Sequence, residues 1–253
     1  MHVDFSNAWI TAVLLCALRL SALLLLAPFW QPLGLPVRVR LMIILAFSAT
    51  LVSATHATSP VLLNSLPALI QAAMTELLVG ALMAFGVFTA FAAIAFAGNA
   101  LDLQIGFNIA NVFDPVTRSQ SPLLASIFAM TAVMLFFSAD AHHTVIRGFA
   151  WSLERIPLGG PAPRPDIAAL GRQFGIVFTL GLTLAAPVMF CLFLVELAMA
   201  VLSRNLQQLN VFVLGTPIKI ILGLMLLATL APQFGHTTRR IFDAIFTFWQ
   251  AVL

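Results

Sequence analysis

Apolar residues run through this chain in long blocks, broken by short stretches rich in proline, glycine and charge. The first block, Trp9–Trp30, holds 22 residues. As a helix it would extend about 33 Å, enough to cross the hydrocarbon core of a bilayer. Tryptophans at both ends suit the membrane interface. Pro28, Pro32, Gly34 and Pro36 then break the helix. Pro36-Val37-Arg38-Val39-Arg40 reads as a short basic turn into a second apolar helix, Leu41–Thr55. After Thr58-Ser59-Pro60 the chain is apolar from Leu66 to Ala100, which is 35 residues. A helix of that length, about 50 Å, has to tilt, bend or extend beyond the bilayer. Gly80, Gly86 and Gly98 are its candidate flex points.

The polar centre follows, from Asp102 to Pro122. It mixes Gly, Asn, Pro and Ser with well-spaced large apolar residues, unlike a low-complexity linker. Leu123–Ser138 is the next apolar helix. Asp140-Ala141-His142-His143 interrupts it before a short helix to Leu153. Leu158–Pro165 is the clearest loop. It divides the chain into an N-terminal helical half, 1–157, and a C-terminal half, 166–253. The C-terminal half is expected to hold a helix over Phe174–Leu202, kinked at Pro187, a second over Val211–Leu230 and a short last one over Arg240–Leu253. No segment alternates with the period of a strand. The expected fold class is an all-α membrane protein built from long, kinked helical hairpins.

Composition sharpens this picture. Hydrophobic residues make up 61% of the 253 and charged residues only 8%, against roughly 25% charged in soluble domains. Mean hydropathy is +1.05. A water-soluble monomer could not bury so much apolar surface. The net charge of +3 is small and dispersed, so nothing resembles a nucleic-acid footprint. Cys16 and Cys191 lie in apolar runs, too few and too far apart for a disulfide framework or a zinc site. The N-terminus lacks the basic region of a secretory signal, and the first apolar run is expected to be retained as a span. Alternating the spans puts Arg38, Arg40, Arg118 and Arg204 on one side and Arg147, Arg155, Arg164, Arg172, Arg239 and Arg240 on the other. The positive-inside rule then gives no clean orientation, so some apolar helices are expected not to cross the membrane in the ordinary way.

Three charged residues stand inside apolar blocks: Arg19, Glu76 and Glu196. A charge near a bilayer centre costs about 2.5–3.5 kcal/mol on insertion scales, so such residues normally face protein, water or one another. Glu76 shares a helical face with Ala72, Ala73, Gly80 and Ala84, and Arg19 with Ala8, Ala12 and Cys16. Small residues at these spacings let helices approach closely. Two readings follow: a proton or ion relay, or a structural ion pair within the chain or across a subunit boundary. The second is favoured, because a relay needs a series of titratable partners. Thr75-Glu76-Leu77-Leu78 and Val195-Glu196-Leu197-Ala198 form a faint internal echo, of the kind membrane repeats leave.

His142-His143 is the single histidine cluster, and neighbouring helical residues do not share a face. It reads as a helix-end pair, not a metal site. No nucleophile elbow, zinc-protease or phosphate-loop motif is present. Scattered methionines read as packing. Gly106–Pro122 is open to two readings, a re-entrant plug or an ordinary connecting loop, since non-helical backbone at membrane depth survives only where protein or a water-filled path surrounds it.

One set of residues carries a family resemblance. Ser203-Arg204-Asn205-Leu206-Gln207-Gln208-Leu209-Asn210-Val211-Phe212, followed by Gly215, Pro217 and Lys219, resembles the signature of the FliR/SctT family, the R-type (flagellar) or T-type (injectisome) inner-membrane subunits of type III export machines. Pro36–Arg40, Glu76 with Gly80, Gly98 with Asp102, Gln104 and Gly106, Asp114-Pro115, Ile156-Pro157-Leu158-Gly159, Ala186-Pro187 and Glu196 match in order and spacing. Two departures stand out. Gln207 occupies the place of the family's proline, and Asp140-Ala141-His142 replaces an Asn-Gly-His turn.

The resemblance implies a chain similar to a P-type and a Q-type export subunit fused together, P-like before the 158–165 linker and Q-like after it. It implies a place in a helical export-gate core in the bacterial inner membrane, much of it above the usual bilayer plane. The partners implied are P- and Q-type subunits, beyond them the B- and A-type subunits, unfolded protein substrates and membrane lipid. Neither cofactor, metal nor catalytic chemistry is implied. The central loop would close the pore at rest, through Gly106, Phe107, Asn108, Ile109, Val112, Phe113, Asp114 and Pro115. Arg19, Glu76, Glu196, Arg204, Gln208, Asn210 and Lys219 would make buried polar or assembly contacts. The competing expectation is a small-molecule or ion transporter with a midplane glutamate site.

Overall fold

The computed structural model describes residues 7–28, 34–55, 57, 65–107, 122–205 and 211–253. These form seven helices: α1 Asn7–Leu26, α2 Val37–Thr55, α3 Leu66–Ile105, α4 Leu123–Ser138, α5 Ala141–Arg155, α6 Ile167–Asn205 and α7 Val211–Val252. No strand occurs among the described residues. The fold is an all-α, multi-span bundle. Among the described residues, five helices are long and apolar enough to cross a membrane, and α4 with α5 qualifies as a sixth span bent by 69°.

Helix ends follow local chemistry and differ in several places from the hydropathy pattern; α3, for one, runs to Ile105, five residues past Ala100 and into the polar centre. Helix α1 stops at Leu26, short of Trp30. Ala27 precedes Pro28, and the proline ring disfavours helical backbone in the residue before it. Helix α2 begins at Val37, so the Val-Arg-Val-Arg segment is its first turn and not a turn leading into it. Pro36 starts that helix well, because its missing N–H would have had no partner there anyway. The Val39 and Arg40 amides donate to the Pro36 carbonyl at 3.0 and 3.3 Å. Helix α6 begins at Ile167, seven residues before Phe174. Asp166 caps it, accepting the Ala168 N–H at 2.9 Å, a preferred N-cap chemistry.

The largest difference is at the C-terminus. The two helices expected over Val211–Leu230 and Arg240–Leu253 are one helix of 42 residues, with Pro217 and Pro232 inside it. The polar stretch between them continues the helix, although most of it is exposed. Phe234 sits 5.7 Å from Phe128, ring to ring, and Thr238 is buried.

The chain folds into two compact units interleaved along the sequence. Unit 1 comprises Met1–Ala90, Asp140–Phe174 and Phe242–Leu253; unit 2 comprises Phe91–Ala139 and Gly175–Ile241. Each draws on both sides of the Leu158–Pro165 loop.

Unit 1 is closed by Trp249, which is fully buried. Its indole Nε1 donates to the Met83 carbonyl at 3.0 Å. The ring lies where α3 and α5 offer glycine: a Cβ on Gly86 would meet Trp249 Nε1 at 2.8 Å, and one on Gly148 would overlap the ring outright. Gln173 adds a buried hydrogen bond, donating to Thr89 Oγ1 at 3.0 Å.

Unit 2 is held by aromatic pairs, Phe91 with Phe136 at 5.6 Å and Phe96 with Phe178 at 5.2 Å. Offset and edge-on pairs at these separations each add about 0.5–1.5 kcal/mol beyond burial. Glycines again set the closest approaches. A Cβ on Gly181 would stand 2.6 Å from the Ala93 carbonyl oxygen, and one on Gly223 2.7 Å from Ile105 Cδ1.

Candidate functional site

The charged residues singled out by the sequence occupy two different settings. The first lies in unit 1, where α1 crosses α3 at Gly80. A Cβ on Gly80 would stand 2.7 Å from Ala22 Cβ, so only glycine allows this approach. One turn earlier on α3 is Glu76, and the close crossing sets its carboxylate beside Arg19 of α1. Arg19 Nε donates to Glu76 Oε2 at 2.5 Å, and both side chains are 0% exposed.

The pair reaches further. Arg19 Nη1 donates to the Ser152 carbonyl at 2.9 Å and to Ser152 Oγ at 3.3 Å. Arg19 Nη2 donates to the Ile156 carbonyl at 2.9 Å. Glu76 Oε1 accepts the Gly159 N–H at 3.0 Å. Burying two charges is tolerable only when geometry is good and the remaining donors and acceptors are satisfied, and here partners surround both ends.

The turn that supplies two of those partners explains the Ile156-Pro157-Leu158-Gly159 motif. The Gly160 N–H donates to the Pro157 carbonyl at 2.9 Å, closing a four-residue turn. Gly159 has φ +74°, the left-handed conformation that position three of a type II turn requires. Leu158 is buried. The turn is thereby anchored by its apolar side chain on one side and the ion pair on the other. Chemically this is a clamp joining α1, α3, the end of α5 and the turn after it. A guanidinium is not deprotonated in proteins, and both Glu76 oxygens are engaged, so the geometry supports a structural pair over a proton relay.

The second setting lies in unit 2. Lys219 of α7 donates to Glu196 Oε1 of α6 in a short ion pair. Its side chains are 24% and 41% exposed. Around it α6 and α7 present large apolar side chains outward, including Phe193, Leu197, Ile218 and Ile221. Arg204, near the end of α6, is exposed. Gln208 and Asn210 fall outside the described residues.

The central segment is described only at its ends. Gly106 has φ +95°, and its N–H donates to the Asp102 carbonyl at 3.1 Å. A positive φ ends the helix here at no Cβ cost. Phe107 follows in the same turn. Asn108, Ile109, Val112, Phe113, Asp114 and Pro115 fall outside the described residues. Asp102 itself is 0% exposed. Its Oδ1 accepts the Leu124 N–H at 3.1 Å and its Oδ2 the Ala125 N–H at 3.0 Å. One carboxylate near the end of α3 thus caps the start of α4.

Asp140, where the family's asparagine would stand, takes the left-handed conformation at φ 56° and ψ 21°. Asp and Asn are among the few non-glycine residues that tolerate it. Ala141 is already helical, so the loss of glycine there leaves the bend intact. Donor atoms of Asp140, His142 and His143 lie within 4.8 Å of one another. With Asp140 and His143 exposed, these three donors fall short of the closed four-ligand set of a structural zinc site.

Sequence reasoning missed Ser152, the carbonyl of Ile156, the N–H of Gly159 and the capping role of Asp102. Backbone groups carry no side-chain signal. The glycines did carry one, since Gly80, Gly98 and Gly159 each mark a close approach or a positive φ.

Comparison with known proteins is consistent with this architecture. The family model described as "Bacterial export proteins, family 1" matches residues 10–245. The chain is 30% identical over 245 residues to the flagellar biosynthetic protein FliR of Escherichia coli (strain K12), covering 94% of this chain and 91% of that one. It is 33% identical over 175 residues to FliR of Bacillus subtilis (strain 168), covering 68% of each. The Yop proteins translocation protein T of Yersinia pestis is 29% identical over 168 residues, covering 65% of this chain and 64% of the relative. These proteins are named for flagellar biosynthesis and protein translocation, not for a catalysed reaction. Given a match across nearly its whole length and a bundle of helices long enough to span a bilayer, the chain belongs to the FliR/SctT family of bacterial export proteins and is a multi-pass inner-membrane protein.

Proposed function

We propose that this chain is a core subunit of a bacterial type III export gate, in which it assembles with P- and Q-type subunits and helps close the channel for unfolded substrates. The observation that carries the reading is the family match over residues 10–245. The fold adds two supports. Long helices expose many large apolar side chains along their length, among them Met42, Ile70, Met74, Met134 and Phe190, a surface suited to lipid and to neighbouring helical subunits. The polar residues in the apolar helices are arranged for packing: Arg19 and Glu76 hold unit 1 together, while Glu196 and Lys219 sit on a partly open face.

In this reading the chain does no covalent chemistry. The halves on either side of 158–165 correspond to a P-like and a Q-like subunit. The segment Gly106–Pro122 obstructs the channel at rest, B- and A-type subunits are further partners, and the flagellar system is favoured over the injectisome. A midplane-glutamate transporter has less support, because Glu76 and Glu196 each already hold a cation within the chain.

Co-expression tests the reading. With P- and Q-type partners the chain is expected to co-purify as a stable complex. A well-behaved lone monomer that transports a small solute would overturn it. In the assembled gate, shortening the segment between Gly106 and Pro122 is expected to make liposomes leak small ions. An intact complex with an unchanged leak would remove the plug role.

A further inference from the structure

The central segment leaves one helix and returns at another, and one residue touches both points: the Asp102 carbonyl accepts the Gly106 N–H at the exit, and its carboxylate holds the start of α4. Asp102 lies one turn before Gly106, where α3 ends, and its own helix thereby sets the exit. Its two carboxylate oxygens accept the Leu124 and Ala125 N–H groups, which are among the first amides of α4 and have no partner within that helix. Pro122, the cap residue of α4, offers no side-chain hydrogen bond of its own. The cap that α4 lacks locally is supplied from 22 residues earlier in the chain.

The approach is enforced from a second direction. Gly98 lies one turn before Asp102 on the same face of α3. A Cβ there would stand 2.7 Å from Ala125 Cα and 3.1 Å from Phe128 Cβ. Glycine at 98 brings the backbone of α4 in, and the carboxylate at 102 fixes its first turn. The charge of a fully buried Asp102 is met by the positive end of α4, where aligned peptide dipoles amount to roughly half an elementary charge.

We propose that Asp102 is a positioning residue whose carboxylate holds the start of α4, where the central segment re-enters, against the end of α3, where it departs, with Gly98 as its steric partner. The inference deepens the plug reading and rests on it for its functional consequence, but its geometric content stands apart. Asparagine cannot replace the carboxylate. Its amide offers one acceptor, and its NH2 group would face an N–H donor.

The test uses the full chain, free of Cys16 and Cys191, in the complex with its P- and Q-type partners. Spin labels go on Leu103 and Leu123, which are 71% and 54% exposed. D102N is expected to turn a narrow label-to-label distance distribution into a broad one and to raise the ion leak while the complex stays intact. Gly98→Ala, whose Cβ would stand 2.7 Å from Ala125 Cα, is expected to push the start of α4 away and lengthen the same distance, and it keeps the test decisive if D102N does not assemble. Wild-type distributions in the variants that assemble would overturn the proposal. A broadened distribution with a wild-type leak, where the shortened segment does leak, would keep Asp102 as the anchor and overturn its effect on the plug. If the shortened segment does not leak, the plug reading fails, and the distance measurement alone decides whether Asp102 is the anchor.

Discussion

Glu76 and Glu196 sit in nearly the same sequence context, an acid within a long apolar helix of each half of the chain, yet their surroundings differ. Glu76 is wholly buried, with one oxygen on Arg19 and the other on the Gly159 amide. Glu196 is 41% exposed and holds Lys219 through one oxygen. The difference lies in the neighbours, not in the acid. Unit 1 brings a glycine crossing, a helix end and a glycine turn to Glu76. Unit 2 gives Glu196 one cation from the next helix and leaves the rest of that face open. A charge saturated by its own chain is committed within the fold, whereas a charge left half open is available to whatever covers it.

The largest effect is expected from breaking the buried pair. Glu76→Gln or Arg19→Met leaves the other group buried without its countercharge, a change that costs about 3–5 kcal/mol in comparable sites. Thermal unfolding of the purified chain and yield of the complex with P- and Q-type partners both measure it. The double variant, Arg19→Met with Glu76→Leu, sharpens the point. Swapping an isolated buried pair for apolar residues is often neutral, but here the Ile156 carbonyl and the Gly159 N–H lose their partners as well. Each such orphan costs about 1–3 kcal/mol, so recovery is expected to be partial. Full recovery would show that the turn does not depend on the pair.

A smaller effect is expected at Gly159. Alanine at φ +74° is strained by about 1 kcal/mol, and Gly159→Ala is expected to lower the unfolding temperature modestly while leaving Arg19 and Glu76 paired. The smallest is Glu196→Gln. A half-exposed pair contributes about 0–1 kcal/mol, so the stability of the isolated chain is expected to change little. The yield of the complex is expected to drop more than that stability does. Equal, small changes in both would remove Glu196 from the assembly surface and erase the contrast with Glu76.

Much of this arrangement was legible beforehand. The apolar blocks gave the helices, because a chain this hydrophobic must satisfy its backbone hydrogen bonds internally where water is absent. Small residues beside Arg19 and Glu76 announced a close helix crossing, and that crossing is present at Gly80. The interruption at Asp140 is a real bend, since that residue takes a left-handed backbone. Less legible were helix limits near proline and polar stretches. Pro36 starts α2, Asp166 caps α6 earlier than hydropathy suggested, and Pro232 lies inside α7 without ending it.

Hydropathy and residue spacing determined that this is a helical membrane protein, and that a few polar positions had to be satisfied by something other than lipid. Those are properties of single residues and of a helix's period, and both are written along the chain. Which groups satisfy them is not. That Arg19 meets Glu76 across 57 positions, that the Ile156 carbonyl and the Gly159 amide complete the pair, and that Asp102 caps a helix beginning 21 residues later are decided by which backbones approach. Only the tertiary structure sets those approaches, since each depends on glycine contacts and backbone groups distant in sequence.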